Sequence, residues 1–408
     1  MADDGALDIV GLGARGDGIA ELAAGPCYVP FALPGERVRR GAAALPELLS
    51  APSPERQPPL CRHFGVCGGC SAQHMAAGLY GAWKRGIVIE AFRQRGLNPD
   101  VAPIQPIAAG SRRRAVLTAR RRHRGVVLGY HPRASDEVFE VTECPVLMPA
   151  IVAGLAALRA IAELIAAREL RFTVLATAAG LDVAAVSAAA RIDAATAARL
   201  ARIAAEHRLA RLTIDARTIA QRAIPALAFA GVEVRPPIGG FVQAAAAAEH
   251  AIAGEVMAAA GNARRACDLF CGVGSLTFGL ARRVAVAAFD SDGEAIAALN
   301  AAARHAQGVK PIEARVRDLM REPLAAKELV GFDVAVFDPP RAGAKAQAAE
   351  LARSRVPVVV AVSCNPGTLA RDVRILVDGG YRVDRVLPID QFLFSAEVEA
   401  VACLRRSG

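Results

Sequence analysis

The chain has 408 residues, a length that predicts two or three domains rather than one. Hydrophobic residues make up 53% and charged residues 22%, which excludes a globally disordered chain. The formal net charge of +9, carried almost wholly by arginine, favours a polyanionic partner. The first residues lack a signal peptide and no charge-free apolar run could span a bilayer, so we expect a cytoplasmic protein with no membrane partner.

Residues 1 to 57 contain short strand-like runs separated by glycine-rich turns. Asp8–Val10, Gly18–Ala20 and Cys27–Pro30 are three of these runs, and Leu33-Pro34-Gly35-Glu36 makes another turn. The pattern predicts a small five-stranded barrel. A proline-rich stretch from residue 51 to 59 follows and is typical of a linker.

Three cysteines then fall within ten residues, at Cys61, Cys67 and Cys70, and Cys144 is a candidate for a fourth partner. The chain has nine cysteines in all, an odd count whose spacing is unlike a disulfide framework. Four thiolates suit an iron–sulfur cluster or a zinc ion. Structural zinc more often uses two Cys-x-x-Cys pairs, and one such pair is present here, so both metals stay open at this point.

The middle of the chain, to about residue 235, predicts a mixed α/β domain. A helix is expected from about residue 75 to 95, and a second from 148 to 168. The runs 172–177 and 181–187, joined at Ala179-Gly180, predict a hairpin. Arginine-rich runs at 112–114 and 120–122 suit an RNA-facing surface.

From about residue 236 strands alternate with alanine-rich helices, which predicts βαβ units and a parallel sheet. The strand-like run 266–270 enters a turn containing Gly272 and Gly274, where the backbone can approach a ligand at a helix N-terminus. Asp290, which ends the next strand, suits ribose hydroxyls, and Asp318 suits an adenine amino group. Thr277 stands where a dinucleotide fingerprint requires glycine, so the loop favours S-adenosylmethionine.

Two later motifs supply reactive groups. Asp338, in Asp338-Pro-Pro-Arg341, follows an apolar strand and is a candidate for hydrogen bonds to a flipped base. Cys364 follows another strand, and Glu399 precedes an apolar run thirty-five residues later. A thiol and a carboxylate beside one cofactor suit methylation of a pyrimidine ring carbon, because that carbon needs a thiolate to activate it and a base to remove its proton.

Three other functions fit parts of the pattern. Asp338-Pro-Pro suggests methylation of an adenine amino group, but Arg341 occupies the place of the stacking aromatic residue and Cys364 has no role in that reaction. A non-catalytic RNA-binding or assembly factor is the alternative outside enzymes. A nicotinamide oxidoreductase is the third, and the loop composition disfavours it.

The motifs Asp338-Pro-x-Arg-Ala-Gly and Ser363-Cys-Asn-Pro together resemble those of the RNA (uracil-5-)methyltransferase family, and the resemblance extends over essentially the whole chain. The cysteine set and the N-terminal segment are similar to its ribosomal-RNA branch. The resemblance implies three parts: a TRAM-like OB barrel at 1–57, an Fe–S segment with a central RNA-binding α+β domain at 58–235, and a Rossmann-like class I methyltransferase domain at 236–408.

The resemblance also implies residue roles. Cys364 corresponds to the nucleophile and Glu399 to the proton-abstracting base, with Asp338 assisting at the uracil ring. Cys61, Cys67, Cys70 and Cys144 correspond to the ligands of a [4Fe-4S] cluster. The S-adenosylmethionine site would include Gln243, Phe270, Gly272, Gly274, Ser275, Asp290, Asp318 and Asp338.

The implied reaction is formation of 5-methyluridine in RNA, with 23S ribosomal RNA the expected substrate and transfer RNA the alternative. No obligate protein partner is indicated. The chain departs from the family near its C-terminus, where Phe392-Leu-Phe-Ser395 and Glu397-Val-Glu399 replace Phe-Pro-His-Thr and His-x-Glu.

Overall fold

The computed structural model describes residues 5–40, 45–123, 125–187 and 191–407. Short strands dominate its first part, in two three-stranded sheets ordered β1-β5-β6 and β2-β3-β4. The bounds of the six strands are Ala6–Asp8 (β1), Gly11–Leu12 (β2), Gly18–Leu22 (β3), Gly25–Val29 (β4), Arg37–Arg39 (β5) and Glu47–Leu48 (β6). The described strands, of two to five residues each, thus pair in two separate sheets, and the five-stranded barrel stays a prediction.

A 17-residue helix, α1 (Ala77–Arg93), follows the cysteine-rich segment and agrees with the predicted helix to within two residues at each end. Its Val88 and Phe92 are fully buried in one hydrophobic cluster with Leu369 and Val373, which belong to the C-terminal part of the chain. This helix therefore packs on the C-terminal sheet layer, although about 150 residues of other structure separate the two in sequence.

The central part is a seven-stranded mixed sheet ordered β13-β12-β11-β10-β7-β8-β9, with helices packed on it. Its elements are β7 (Arg114–Arg122), β8 (Gly125–Tyr130), β9 (Phe139–Glu140), α2 (Pro149–Ala153), α3 (Leu155–Leu164), β10 (Glu169–Thr177), β11 (Gly180–Ser187), α4 (Ala194–Glu206), β12 (Arg211–Ile214) and β13 (Arg217–Gln221). A two-stranded hairpin follows, formed by β14 (Leu227–Phe229) and β15 (Val232–Val234). The predicted hairpin at 172–187 is confirmed as β10 and β11.

The helix expected over residues 148–168 is two helices that meet at Gly154, whose own backbone angles are helical (φ −73°, ψ −10°). A Cβ atom there would lie 2.4 Å from Leu181 Cδ1, so a side chain at this position would force Leu181 to shift. The prediction of one continuous helix is therefore wrong, and the second helix ends at Leu164.

The C-terminal part is a second seven-stranded sheet, ordered β18-β17-β16-β19-β20-β22-β21. Its elements are α5 (Ala246–Ala260), β16 (Arg265–Leu269), α6 (Thr277–Ala281), β17 (Ala285–Asp290), α7 (Gly293–Ala303), β18 (Ile312–Val316), β19 (Val334–Phe337), α8 (Lys345–Arg353), β20 (Val358–Ser363), α9 (Pro366–Asp378), β21 (Tyr381–Ile389) and β22 (Glu399–Arg406).

Strands β16 to β20 of this sheet are parallel, whereas β22 runs antiparallel to both β20 and β21. The parallel strands are nearly continuous apolar runs such as Val358–Ser363, as expected for a sheet covered on both faces. The predicted parallel sheet is confirmed, and its order is that of the class I methyltransferase fold. Within the described ranges no helix is both long and apolar enough to cross a membrane.

Candidate active site

A cavity of about 570 Å³ opens at the carboxyl ends of β16, β17, β19 and β20. Open α/β sheets bind ligands at this edge, because the loops that leave adjacent parallel strands meet there. Residues from three separate regions of the sequence line it. They include Arg112, Arg114, Phe241, Gln243, Phe270, Gly272, Ser275, Asp290, Asp338, Arg341, Cys364, Gln391, Glu397 and Glu399.

Cys364 and Glu399 are brought together by strand register. The antiparallel pair β20–β22 places Ser363 opposite Ala400, so the next position along each strand sets Cys364 beside Glu399. Asn365 then starts α9 as its N-cap, its side chain accepting hydrogen bonds from the N–H groups of Gly367 and Thr368. The strand end and the helix start thus hold the thiol at the mouth of the sheet, half-buried.

The surroundings of Cys364 disfavour its thiolate. Burial raises the pKa of Cys364 to about 11, and the negative charges of Glu399 and Asp338 act in the same direction. Arg341 opposes them, but less strongly. The protein without ligands therefore holds Cys364 as a neutral thiol at pH 7.

The two carboxyl groups beside it are also perturbed. Glu399 is buried and Asp338 half-buried, and desolvation raises the pKa of Asp338 to about 7. Burial raises the pKa of Glu399 well above its usual range, and the charge of Asp338 adds to the effect. Buried carboxyls with displaced pKa values that face one cavity are typical of sites that transfer protons.

Two amide side chains connect these carboxyl groups. Gln243 Nε2 donates to Asp338 Oδ2 at 2.8 Å, and Gln391 Nε2 donates to Gln243 Oε1 at 2.8 Å. Gln391 Nε2 also donates to Glu399 Oε2 at 2.9 Å. The sequence did not single out Gln391, although the signal was present: Asp390 and Gln391 are two polar residues directly after the apolar end of β21.

The glycine-rich loop borders the same cavity. The N–H of Gly272 donates to Asp290 Oδ2 at 2.8 Å, which fixes the carboxylate that ends β17. Gly274, at φ +91°, packs so closely that a Cβ atom would lie 3.0 Å from Leu299 and Phe278. Phe270 and Ser275 line the cavity, and Phe270 adopts φ +63°, a left-handed conformation that is uncommon for a residue with a side chain.

One predicted cofactor residue, Asp318, is not among the residues that line the cavity. Its carboxylate accepts hydrogen bonds from the N–H groups of Met320 and Arg321 at 3.0 and 3.3 Å and so stabilises a turn. The assignment of Asp318 to the adenine site stays a prediction.

The four cysteines predicted as ligands lie near one another. The pKa of Cys70 is raised to about 12, first by burial and then by the charges of Cys67, Cys144 and Cys61. In the described ranges no group of three or more His, Cys, Asp or Glu side chains is close enough to hold a metal ion. A single tetrahedral zinc with Zn–S bonds of about 2.3 Å would need the sulfurs within roughly 4 Å of each other.

Comparison with known proteins identifies relatives along the whole chain. Residues 231–407 match the sequence profile of the tRNA (uracil-5-)-methyltransferase family. An uncharacterized RNA methyltransferase of Brucella suis is 47% identical over 407 residues, covering 98% of each chain. A 23S rRNA (uracil(1939)-C(5))-methyltransferase RlmD of Alkalilimnicola ehrlichii is 32% identical over 431 residues, covering 98% of this chain and 96% of its own.

A solved structure has the same fold. The Pyrococcus abyssi tRNA (uracil-54, C5)-methyltransferase, determined in complex with S-adenosyl-L-homocysteine, superposes with a TM-score of 0.76 at 22% identity, covering 99% of this chain and 100% of its own. The family expected from the sequence motifs is thus confirmed. Near-complete coverage at 47% identity, with a profile match over the sheet that carries Cys364 and Glu399, shows that the chain belongs to the RNA (uracil-5-)methyltransferase family of enzymes.

Proposed function

We propose that the protein methylates C5 of a uracil in RNA through a covalent adduct to Cys364. The observation that carries the proposal is the register that sets Cys364 beside Glu399, inside the cavity bordered by the glycine-rich loop. A nucleophile and a base at one end of a cofactor cavity are what this reaction needs, since C5 becomes nucleophilic only after a thiolate adds to C6.

The steps follow from the positions of the side chains. Cys364 Sγ forms a bond to C6, and the electron pair of the C5=C6 bond moves toward C5 and O4. Gln243 and Asp338 border the ring edge, where hydrogen bonds stabilise this charge. S-adenosylmethionine supplies the methyl group that C5 takes. Glu399 then removes the C5 proton, and the C5=C6 bond re-forms as the bond to Cys364 Sγ breaks.

Thiol activation depends on ligand binding in this scheme. Asp338 and Glu399 hold the pKa of Cys364 high in the free protein. A sulfonium cation in the same cavity opposes those negative charges and so favours the thiolate. Cys364 would therefore become a nucleophile only when the methyl donor is in place. The residues that would hold the donor are Gln243, Phe270, Gly272, Ser275 and Asp290, with Gly274 packed behind them.

RNA would reach the cavity along a neighbouring groove. A second groove, of about 680 Å³, lies between the first strands, α1 and the start of α9, and it shares Arg341 and Glu397 with the active-site cavity. Nucleotides that flank the target would lie along this groove while the target uridine leaves its stack, at a cost of about a few kcal/mol. The net charge of +9 supports binding to phosphates. Since its substrate is cellular RNA, we place the protein in the cytoplasm.

The substrate we propose is 23S ribosomal RNA. The relative with a named target supports it, because that protein is named a 23S rRNA methyltransferase and aligns over 98% of this chain. Transfer RNA is the second candidate, favoured by the description of the family profile. Mapping of 5-methyluridine in RNA from a strain that lacks the protein separates the two: loss from 23S rRNA supports the proposal, and loss from tRNA alone overturns it.

The covalent mechanism has a direct test in two variants. Glu399→Gln should accumulate a protein–RNA adduct that survives denaturing electrophoresis, because the final elimination needs the base. Cys364→Ala should form no adduct and no product. Methyl transfer to RNA by Cys364→Ala, measured with methyl-labelled S-adenosylmethionine, would rule the mechanism out.

We also propose a [4Fe-4S] cluster on Cys61, Cys67, Cys70 and Cys144. The proposal rests on the chemistry of the donor set, since four cysteine thiolates are the usual ligands of such a cluster. The N–H of Gly69 points at Cys67 Sγ at 3.4 Å, a contact that would tune a cluster sulfur. In this proposal the cluster has a structural role. It belongs to a central unit at 58–235, which follows a TRAM-like unit at 1–57 and precedes the methyltransferase unit at 236–408 in the sequence.

A further inference from the structure

The amide bridge between Asp338 and Glu399 has a fixed direction of donation. The amide nitrogen of Gln391 contacts two acceptors, Gln243 Oε1 and Glu399 Oε2. The amide nitrogen of Gln243 donates onward to Asp338 Oδ2. When Glu399 is ionised, turning Gln391 over would set its amide oxygen against the carboxylate oxygen, so the proton-accepting state of Glu399 favours the orientation seen here.

This orientation leaves one atom of the base without a partner. Glu399 Oε1 is buried and accepts no hydrogen bond, whereas Glu399 Oε2 is held by Gln391. An unpaired buried carboxylate oxygen is destabilising, because the hydrogen bonds it made to water are not replaced. Such an oxygen is expected where a substrate proton is to be received.

Gln391 also affects the charge state of Glu399. Its hydrogen bond lowers the pKa of Glu399, against burial and against the charge of Asp338. Cys364, Arg341 and Glu397 face the same cavity, and none of them donates a hydrogen bond to Glu399 in the described part of the chain. Gln391 is thus the donor that favours the ionised, proton-accepting form.

We propose that Gln391 is a positioning residue for removal of the C5 proton: it holds Glu399 by one oxygen and leaves the other free to take that proton. The inference rests on the proposed function and deepens it. Gln391 acts through Glu399 and therefore affects the last step of the reaction more than the first two.

The test separates those steps. An in vitro transcript of 23S rRNA carrying tritium at uracil C5 is mixed with excess enzyme and methyl-labelled S-adenosylmethionine. Methyl incorporation reports addition and transfer, and tritium release reports proton removal. In Gln391→Met, which keeps the length of the side chain but has no donor, methyl incorporation should stay within about threefold of wild type. Tritium release should slow by about 100-fold, within the range for general-base catalysis, and adduct should accumulate.

Gln347→Met is a matched control. Gln347 is also a fully buried glutamine with two hydrogen bonds, both to the backbone of Leu324 and away from the cavity. It should leave the ratio of tritium release to methyl incorporation unchanged. If Gln391→Met slows both readouts equally, or matches the control, the inference is overturned and Gln391 is only structural.

The pH dependence provides a second readout. Protonated Glu399 cannot accept the proton, so the rate of tritium release falls at low pH. Loss of the donor should move this fall to higher pH in Gln391→Met, because a hydrogen bond to the charged form lowers a pKa. If the pH at which tritium release falls is the same in Gln391→Met as in wild type, the inference is contradicted. A wild-type enzyme that neither forms adduct nor releases tritium would instead refute the proposed function, and this inference with it.

Discussion

At the scale of single residues, the state of the Cys364 thiol determines when chemistry can start. A pKa of about 11 leaves about one molecule in ten thousand as thiolate at pH 7. The free protein is therefore protected from electrophiles, since the thiolate is the reactive form. Reactivity then depends on which ligands enter the cavity, because Asp338 and Glu399 supply the charges that oppose ionisation.

Alkylation by iodoacetamide should report this state. In the free protein we expect Cys364 to react about a hundredfold more slowly at pH 7 than in the denatured chain, and the rate should keep rising to about pH 11, because thiolate increases up to the pKa. Peptide mass spectrometry separates Cys364 from the other cysteines. A rate that levels off below pH 8.5 would contradict the raised pKa of Cys364.

The sequence motifs were sufficient to bring Cys364, Glu399, Asp338 and Gln243 into one hypothesis, and the structure places all four on one cavity. They could not supply Gln391, because a polar residue after a strand is usually solvated and its burial follows only from tertiary packing. They also assigned Asp318 to the adenine site, which stays a prediction, since the contacts of its carboxylate in the structure are the local hydrogen bonds from the N–H groups of Met320 and Arg321.

At the scale of elements, α1 holds the segment that carries Gln391. Lys84 is completely buried, and its Nζ lies 2.8 Å from Asp390 Oδ1 and 2.6 Å from the carbonyl oxygen of Glu397. Tyr80 donates to Asp390, and the N–H of Phe394 donates to the Tyr80 hydroxyl. The N–H of Ser71, beside the cysteine cluster, donates to the carbonyl of Phe394. The cysteine segment is thus joined to the loop before Glu399.

Lys84→Met should therefore be costly. Removing one partner of a buried ion pair leaves Asp390 without its counter-charge, and we expect a loss of about 3–5 kcal/mol in the free energy of unfolding, measured by urea denaturation. Adduct formation by the folded fraction should fall as well. Lys327→Met, at an exposed lysine, is the control and should change stability by no more than about 0.5 kcal/mol. An unchanged urea midpoint for Lys84→Met would show that α1 does not hold the loop.

The periodicity of the sequence predicted whether a segment is a helix or a strand more reliably than it predicted which strands pair. The apolar run at 358–362 predicted a strand, and alternation with helices predicted the parallel sheet. Nothing in the local pattern indicated that β22 would insert antiparallel between β20 and β21, although that insertion sets Cys364 beside Glu399. The local sequence around Gly154 did not indicate a break in the helix either, because the neighbour of Gly154 is Leu181, which belongs to another element.

At the scale of the whole molecule, the coupled cysteines and one ion pair join parts that are distant in sequence. Cys144 reaches the sulfurs of the 61–70 segment, and Arg133 pairs with Asp17 through two hydrogen bonds of 2.7 and 2.8 Å. The first strands, the cysteine segment and the central sheet are therefore held together near one place. A cluster there would cross-link the chain as a disulfide does in other compartments.

Metal content provides the test at this scale. Protein purified without oxygen should contain iron and acid-labile sulfide and absorb visible light, and Cys144→Ser should lose all three signals together with some resistance to urea. Cys27→Ser is the control, since Cys27 packs in the N-terminal strands. Stoichiometric zinc with a blank visible spectrum would contradict the iron assignment and leave the methylation mechanism intact.

The acidic lining of the cavity also has a consequence for turnover. The carboxyl groups of Asp290, Asp338 and Glu399 line the cavity, and a positively charged donor there would favour their ionised forms and be attracted by them. Once its methyl group is gone, the donor is a neutral thioether, and that attraction disappears at the moment the chemistry is complete. The carboxyl groups that oppose ionisation of Cys364 thus also favour replacement of the demethylated product by a new methyl donor. Inhibition by this product should therefore be weaker than the similar shapes of the two molecules suggest.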